Sequence, residues 1–210
     1  MRERFIDQLA STENEEIVLL RRDVEAIKEL VFNIKTGEVH QLDRLEQFED
    51  ETYRLQRSAE HSALMLLMRQ QPVADDLHVL TLSLGMFKHI SRIAVQVVES
   101  QRLWIGLSDV SRQVPLLQKQ GELVLEMANI LIVALEAKNS ELLQNVVDID
   151  DKVDDVFIDV KAKIVQAIQD RTIEANVAVD LILMGKYFEK MGDHLASISR
   201  QAIRLIDKIW

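Results

Sequence analysis

Four acidic residues in the second half of the chain have types and spacing that could do chemistry. Glu189 and Asp193 stand four positions apart, and so do Asp150 and Asp154, about forty residues earlier. On a helix, residues i and i+4 lie on one face, one turn apart. Each pair therefore points two carboxylates the same way. If the two helices are antiparallel neighbours, four carboxylates can converge. Such a cluster repels itself unless it binds a cation or keeps protons. Carboxylate oxygens suit hard or borderline cations such as Mg, Ca, Mn, Fe or Zn.

The two pairs differ in their surroundings. Asp148, Asp151, Asp155 and Asp159 crowd the first pair, and these four are expected to be no more than a solvated helix face. Glu189 and Asp193 instead interrupt an apolar segment containing Met184, Phe188, Met191 and Leu195. Gly192 between them costs a helix about 1 kcal/mol relative to Ala. Its expected use is a close backbone approach or access for a ligand. His194 is rotated about 100° around the helix from Asp193, which predicts a surface or interface histidine. His40, His61, His78 and His89 have no ligand spacing, and the methionines read as core filler. No phosphate-cradling glycine loop, Ser-His-Asp set or nucleotide motif is present, so the pattern favours binding over catalysis.

Long helices must position these residues. Apolar residues recur at helical spacing through most of the chain, and Gly (6) and Pro (2) are scarce. The spacing predicts helices over 2–35, 38–70, 73–104, 115–137, 141–169 and 173–208. Breaks fall at Thr36-Gly37, Gln71-Pro72, Lys138-Asn139-Ser140 and Asp170-Arg171-Thr172. At the third break Asn139 is the expected C-terminal cap and Ser140 the N-cap. Residues 105–114, with Gly106 and two serines, read as a linker. The breaks repeat in both halves, so the expected fold is all-α: two tandem antiparallel three-helix bundles, 1–104 and 115–210, related by an internal repeat.

Composition narrows the function. A formal net charge of −10 and a pI of about 5.0 argue against a nucleic-acid-binding surface. Cysteine is absent, which excludes disulfides and thiolate sites and suits a reducing cytoplasm. The longest apolar run, Ala128 to Leu135 interrupted by Asn129, is far short of the roughly 20 residues that span a bilayer. Direct membrane insertion is therefore not expected.

At these residues the sequence resembles the PhoU family of bacterial phosphate-uptake regulators, which carries a pair of Glu/Asp-x-x-x-Asp motifs in each of two three-helix repeats. Glu189-Lys190-Met191-Gly192-Asp193-His194 resembles the family's Glu-Arg-Ile-Gly-Asp-His form. Asp150-Asp151-Lys152-Val153-Asp154 resembles its Asp-x-x-x-Asp form. Arg2 to Leu9, Gln70-Gln71-Pro72 and the Asn139-Ser140 break sit where counterparts would. The first half departs from the pattern. Counting from Pro72 places Glu49 and Tyr53 at the first acidic pair and Ser91 and Val95 at the second. No acid lies between Asp76 and Glu99.

The resemblance implies a cytoplasmic regulator that binds a phosphate ABC transporter subunit and a sensor histidine kinase, forms a homodimer and catalyses nothing. It also implies divalent or trivalent metal (Fe, Zn, Mn or Mg) on Asp150, Asp154, Glu189 and Asp193. The first repeat would hold no metal, with Lys88 neutralising Glu49 or Asp50. The alternatives are an enzyme-like metal-carboxylate bundle and a structural helical adaptor.

Overall fold

A computed structural model of the chain describes residues 2–37, 42–70, 74–107 and 114–207. Among these the fold is six helices and no strand: α1 (Arg2–Thr36), α2 (Leu42–Gln70), α3 (Ala74–Gly106), α4 (Val114–Ala137), α5 (Ser140–Gln169) and α6 (Ala175–Asp207). The all-α expectation holds. The predicted break at Gln71-Pro72 and the 108–113 part of the linker lie outside the described residues. What is described of that linker extends α3, since helix continues through Gly106 and Leu107 N donates to Trp104 O at 3.1 Å.

The helix ends show why the chain turns where it does. Gly37 has φ +73°, and its N–H donates to Asn33 O at 2.9 Å. Glycine enters this left-handed region without a Cβ penalty. At the α4–α5 joint the expectation is off by one residue. Lys138 takes the left-handed conformation (φ 49°), and Asn139 N donates back to Ala134 O at 3.0 Å. Asn139 is then the N-cap of α5, its Oδ1 accepting from Leu142 N at 3.1 Å. An Asn side chain satisfies an otherwise orphaned first-turn N–H. Ser140 instead donates from Oγ to Asp207 Oδ1 at 2.7 Å, tying α5 to the end of α6.

Packing goes beyond two separate three-helix units. α1 packs on α3, α3 on α6, α6 on α4 and α4 on α1, a ring of four helices. α2 flanks the ring against α1 and α3, and α5 flanks it against α4 and α6. Exchanging α1 with α4, α2 with α5 and α3 with α6 maps this contact pattern onto itself. One apolar core runs through both halves, from Leu20, Ile27 and Ile34 of α1 to Leu131 of α4 and Phe188 of α6. At the α1–α4 crossing, a Cβ on Gly121 would stand 2.9 Å from Val31 Cγ2 and 3.0 Å from Phe188 Cζ. Only glycine lets the helices approach this closely. Gln120 beside it, fully buried, donates from Nε2 to Gly185 O at 3.0 Å and so joins α4 to α6.

Candidate carboxylate site between α5 and α6

α5 and α6 are built to face each other. α5 buries Leu143, Val146, Ile149, Asp150, Val153, Val156, Val160 and Ile164. These sit at steps of three and four, one stripe of a helix. Asp150 is the single charged member of that stripe. α6 buries Leu181, Met184, Gly185, Phe188, Met191, Gly192 and Leu195 in the same way. The turn between them closes with Arg171 at φ 55° and Thr172 N donating to Ala167 O at 2.9 Å. Such a short connection makes the two helices antiparallel neighbours.

This register brings Asp150 against Gly192. A Cβ added at Gly192 would lie 2.8 Å from Asp150 Oδ1, so the glycine makes room for the carboxylate, as its cost in the helix had implied. The four predicted acids lie within electrostatic reach of one another across the α5–α6 contact. Asp193 and Asp154 both act electrostatically on Asp150, and Glu189 and Asp193 act on Asp154. Burial first, then the neighbouring carboxylates, push the Asp150 carboxyl up to about 6, with Arg200 opposing. Burial and the facing Glu189 and Asp193 also raise Asp154. Asp148, Asp151, Asp155 and Asp159 are exposed, which matches the solvated face expected of them.

Three cations complete the site, and the sequence reading missed their role. Lys186 Nζ donates to Glu189 Oε1 at 2.6 Å, and Lys190 Nζ to Asp193 Oδ2 at 2.5 Å. Lys190 also lies 3.4 Å from Glu189 Oε2, and Arg200 Nη2 lies 3.8 Å from Asp150 Oδ2. The signal was available: Lys186–Glu189 and Lys190–Asp193 are i,i+3 pairs, which meet on a helix surface. The hydrogen bond to Asp193 is the main reason the Lys190 ammonium is held above its usual range.

The donor chemistry fits a cation. Asp150 Oδ1 and Glu189 Oε2 are buried and accept no hydrogen bond, although Lys190 lies near the latter, and a buried carboxylate oxygen without a hydrogen bond is costly. As the side chains stand, no three His, Asp or Glu among the described residues are gathered tightly enough to hold a metal. Lys186 and Lys190 pair with Glu189 and Asp193 instead. Both lysines are long and about two-fifths exposed, so they can swing to solvent.

The equivalent place in the first half, between α2 and α3, has a different character. A groove of ≈ 510 Å³ opens there, and Glu49, Tyr53, Ser91 and Val95, the positions that counting from Pro72 had picked out, all line it. The expected neutralisation of Glu49 or Asp50 by Lys88 is not found. Arg102 Nη2 holds Glu49 Oε2 at 3.2 Å, because α2 and α3 run antiparallel and place position 49 beside 102 rather than 88. Between the halves, His89 of α3 meets His194 of α6, with Nδ1 atoms 3.0 Å apart and both side chains half-buried. This is the interface histidine expected at 194. Burial, then His89, lower the His194 imidazole to about 4.

Comparison with known proteins agrees with this architecture. Residues 117–202 match the PhoU domain. The chain is 24% identical over 203 residues to the phosphate-specific transport system accessory protein PhoU homolog 1 of Methanothermobacter thermautotrophicus, covering 89% of this chain and 90% of that protein. It is 27% identical over 171 residues to the corresponding PhoU homolog of Deinococcus radiodurans, covering 79% and 76%. The fold superposes on the crystal structure of PhoU from Pseudomonas aeruginosa with a TM-score of 0.91 at 17% identity, over 97% of this chain and 99% of that one. For the phosphate transport system regulatory protein PhoU from Streptococcus pneumoniae the TM-score is 0.87 at 15% identity, over 96% of each chain.

Proposed function

From a chain with a PhoU domain in its second half and the PhoU fold along its length, we propose a non-catalytic regulator of phosphate uptake. It acts in the cytoplasm as a homodimer by binding a phosphate ABC transporter subunit and a sensor histidine kinase. The observation that carries this reading is coverage. The first relative named as an accessory protein of phosphate-specific transport matches over 89% of this chain and 90% of its own length, and the second over 79% and 76%, more than the matched domain alone. Among the described residues no helix is long and apolar enough to cross a membrane, so attachment to a transporter would go through a partner's surface. With a net charge of −10, that attraction should weaken as salt rises.

The carboxylate site would serve this role by holding a divalent or trivalent cation. Asp150, Asp154, Glu189 and Asp193 supply the oxygens, and Lys186 and Lys190 swing aside. A bound cation supplies charge compensation for the buried Asp150 and a fixed point joining α5 to α6. The support is the buried Asp150 Oδ1, which accepts no hydrogen bond, together with the room left by Gly192. The test is co-purification of the tagged chain with the transporter ATPase subunit and the sensor kinase of its own organism, at high and low phosphate. Phosphate-dependent recovery of either supports the reading. Recovery of neither, alongside measurable hydrolase or transferase turnover, would reverse it.

A further inference from the structure

The first-half groove has kept the cations of the second-half site and lost the acids that pair with them. Lys88 stands 98 positions before Lys186, and Arg92 the same distance before Lys190. At that offset Glu189 corresponds to Ser91 and Asp193 to Val95. The two basic residues therefore keep the i,i+4 spacing that puts them on one helix face, while each lacks its acidic partner three residues on. Among the described residues neither Lys88 nor Arg92 makes an ion pair, whereas Lys186 and Lys190 both do. Both first-half cations are exposed and line the groove.

Three acids, Glu49, Asp50 and Glu60, line the groove with them, and none is within ion-pair distance of Lys88 or Arg92. Glu49 is held by Arg102 at 3.2 Å, and Glu60 accepts from Gln56 Nε2 at 2.7 Å. Asp50 stays exposed on α2. Tyr53, 55% exposed, offers a hydroxyl and the ring face opposite Arg57, whose guanidinium carbon sits 5.5 Å from the ring centroid, and Val95 an apolar wall. Ser91 Oγ donates to Gln56 Oε1, so two polar side chains at the centre are held in place. On the floor, Thr52 is 2% exposed and its Oγ1 has no hydrogen-bond partner. An unpartnered buried hydroxyl that lines the groove is a polar group a ligand could satisfy. A volume of ≈ 510 Å³ falls within the roughly 300–1,000 Å³ of small-molecule sites and far exceeds a bare anion.

We propose that this α2–α3 groove is a binding site for an organic phosphate of nucleoside-monophosphate or sugar-phosphate size. The phosphate lies between Lys88 and Arg92 of α3. The hydroxyl-bearing body lies along α2, against Tyr53 and within reach of Asp50 and Glu60. Arginine and lysine are the side chains that recognise phosphate by charge-assisted hydrogen bonds. The inference rests on the groove alone and stands apart from the partners proposed above.

The experiment is calorimetric titration of the full chain with adenosine monophosphate, glucose 6-phosphate and inorganic phosphate at fixed ionic strength. Wild type, Lys88→Ala, Arg92→Ala, the double variant and Lys163→Ala, an exposed control on α5, are compared. Lys88 and Arg92 are exposed, so their removal should leave the thermal midpoint unchanged. At least one organic phosphate should bind the wild type and Lys163→Ala alike. Each single substitution should weaken that binding about tenfold, the size expected for one charged hydrogen bond, and the double variant more. The site is refuted if no organic phosphate binds at millimolar concentration, or if the double variant binds as well as wild type. Inorganic phosphate binding as tightly as the organic probes would overturn the assignment of the ligand class.

Discussion

Lys186 and Lys190 of α6 each hold a carboxylate three residues on, at 2.6 and 2.5 Å. Lys88 and Arg92, at the matching stations of α3, face Ser91 and Val95 instead. The backbone frame is shared: a flanking helix antiparallel to a helix of the four-helix ring. In the second half that frame carries acids on both helices, with a buried Asp150 backed against Gly192. In the first half Ala94 stands where glycine would be, the carboxylates of the last helix are gone, and a groove remains. The fold thus fixes where two helices meet. On α3, Ser91, Ala94 and Val95 stand where α6 has Glu189, Gly192 and Asp193, so the two meeting places differ in charge pattern on one helix face.

The comparison breaks most visibly at Asp193. If the second-half site holds metal and the first does not, Asp193→Ala should bring the metal content of chelator-free protein to background, and Glu49→Ala should leave it at the wild-type level. Elemental analysis decides, and equal metal in the two variants would end the asymmetry. Next in size is an exchange of character. Ser91→Glu combined with Val95→Asp restores the missing i,i+3 partners of Lys88 and Arg92. Organic-phosphate affinity should then fall by about a hundredfold, the loss of two charged contacts. Unchanged affinity in the titration would show that those cations do not carry binding.

Asp150 gives a pH-dependent test. Its carboxyl is raised to about 6 from the ordinary 3.8. The folded state therefore holds a proton that the unfolded chain releases. Folded stability relative to an Asn at this position is retained below pH 4 and lost as pH rises through 6. Asp150→Asn should thus stabilise the metal-free protein by about 2 kcal/mol at pH 8 and have little effect at pH 4, read by urea unfolding at both. Stabilisation of the same size at both pH values would detach the effect from the titration of this group. Gly192→Ala should be the smallest change in stability, within about 1 kcal/mol. The gain in helix propensity offsets the displacement of Asp150 Oδ1 from 2.8 Å. Metal retention should nevertheless drop, while Ala94→Gly in the first half should only cost helix stability. Identical metal retention in Gly192→Ala and wild type would show that the glycine does not shape the site.

Sequence by itself determined the helices, because burial of an amphipathic stripe at steps of three and four needs nothing beyond local order. It also determined the four acids and their absence from α3, since i,i+4 spacing fixes a shared face before any packing occurs. Gly192 was legible for the same reason: a glycine inside a long helix carries a cost that some contact has to repay. Other features waited for tertiary structure. Which cation holds Glu49 depends on the α2–α3 register, and only packing places Arg102 rather than Lys88 beside it. The His89–His194 contact joins residues 105 positions apart, so no local spacing announces it. The cap of α5 fell on Asn139 because Lys138 accepted the left-handed turn, a choice settled by how α4 and α5 meet. The groove beside Ser91 has no signature in the chain. It is space between α2 and α3 that only their packing creates.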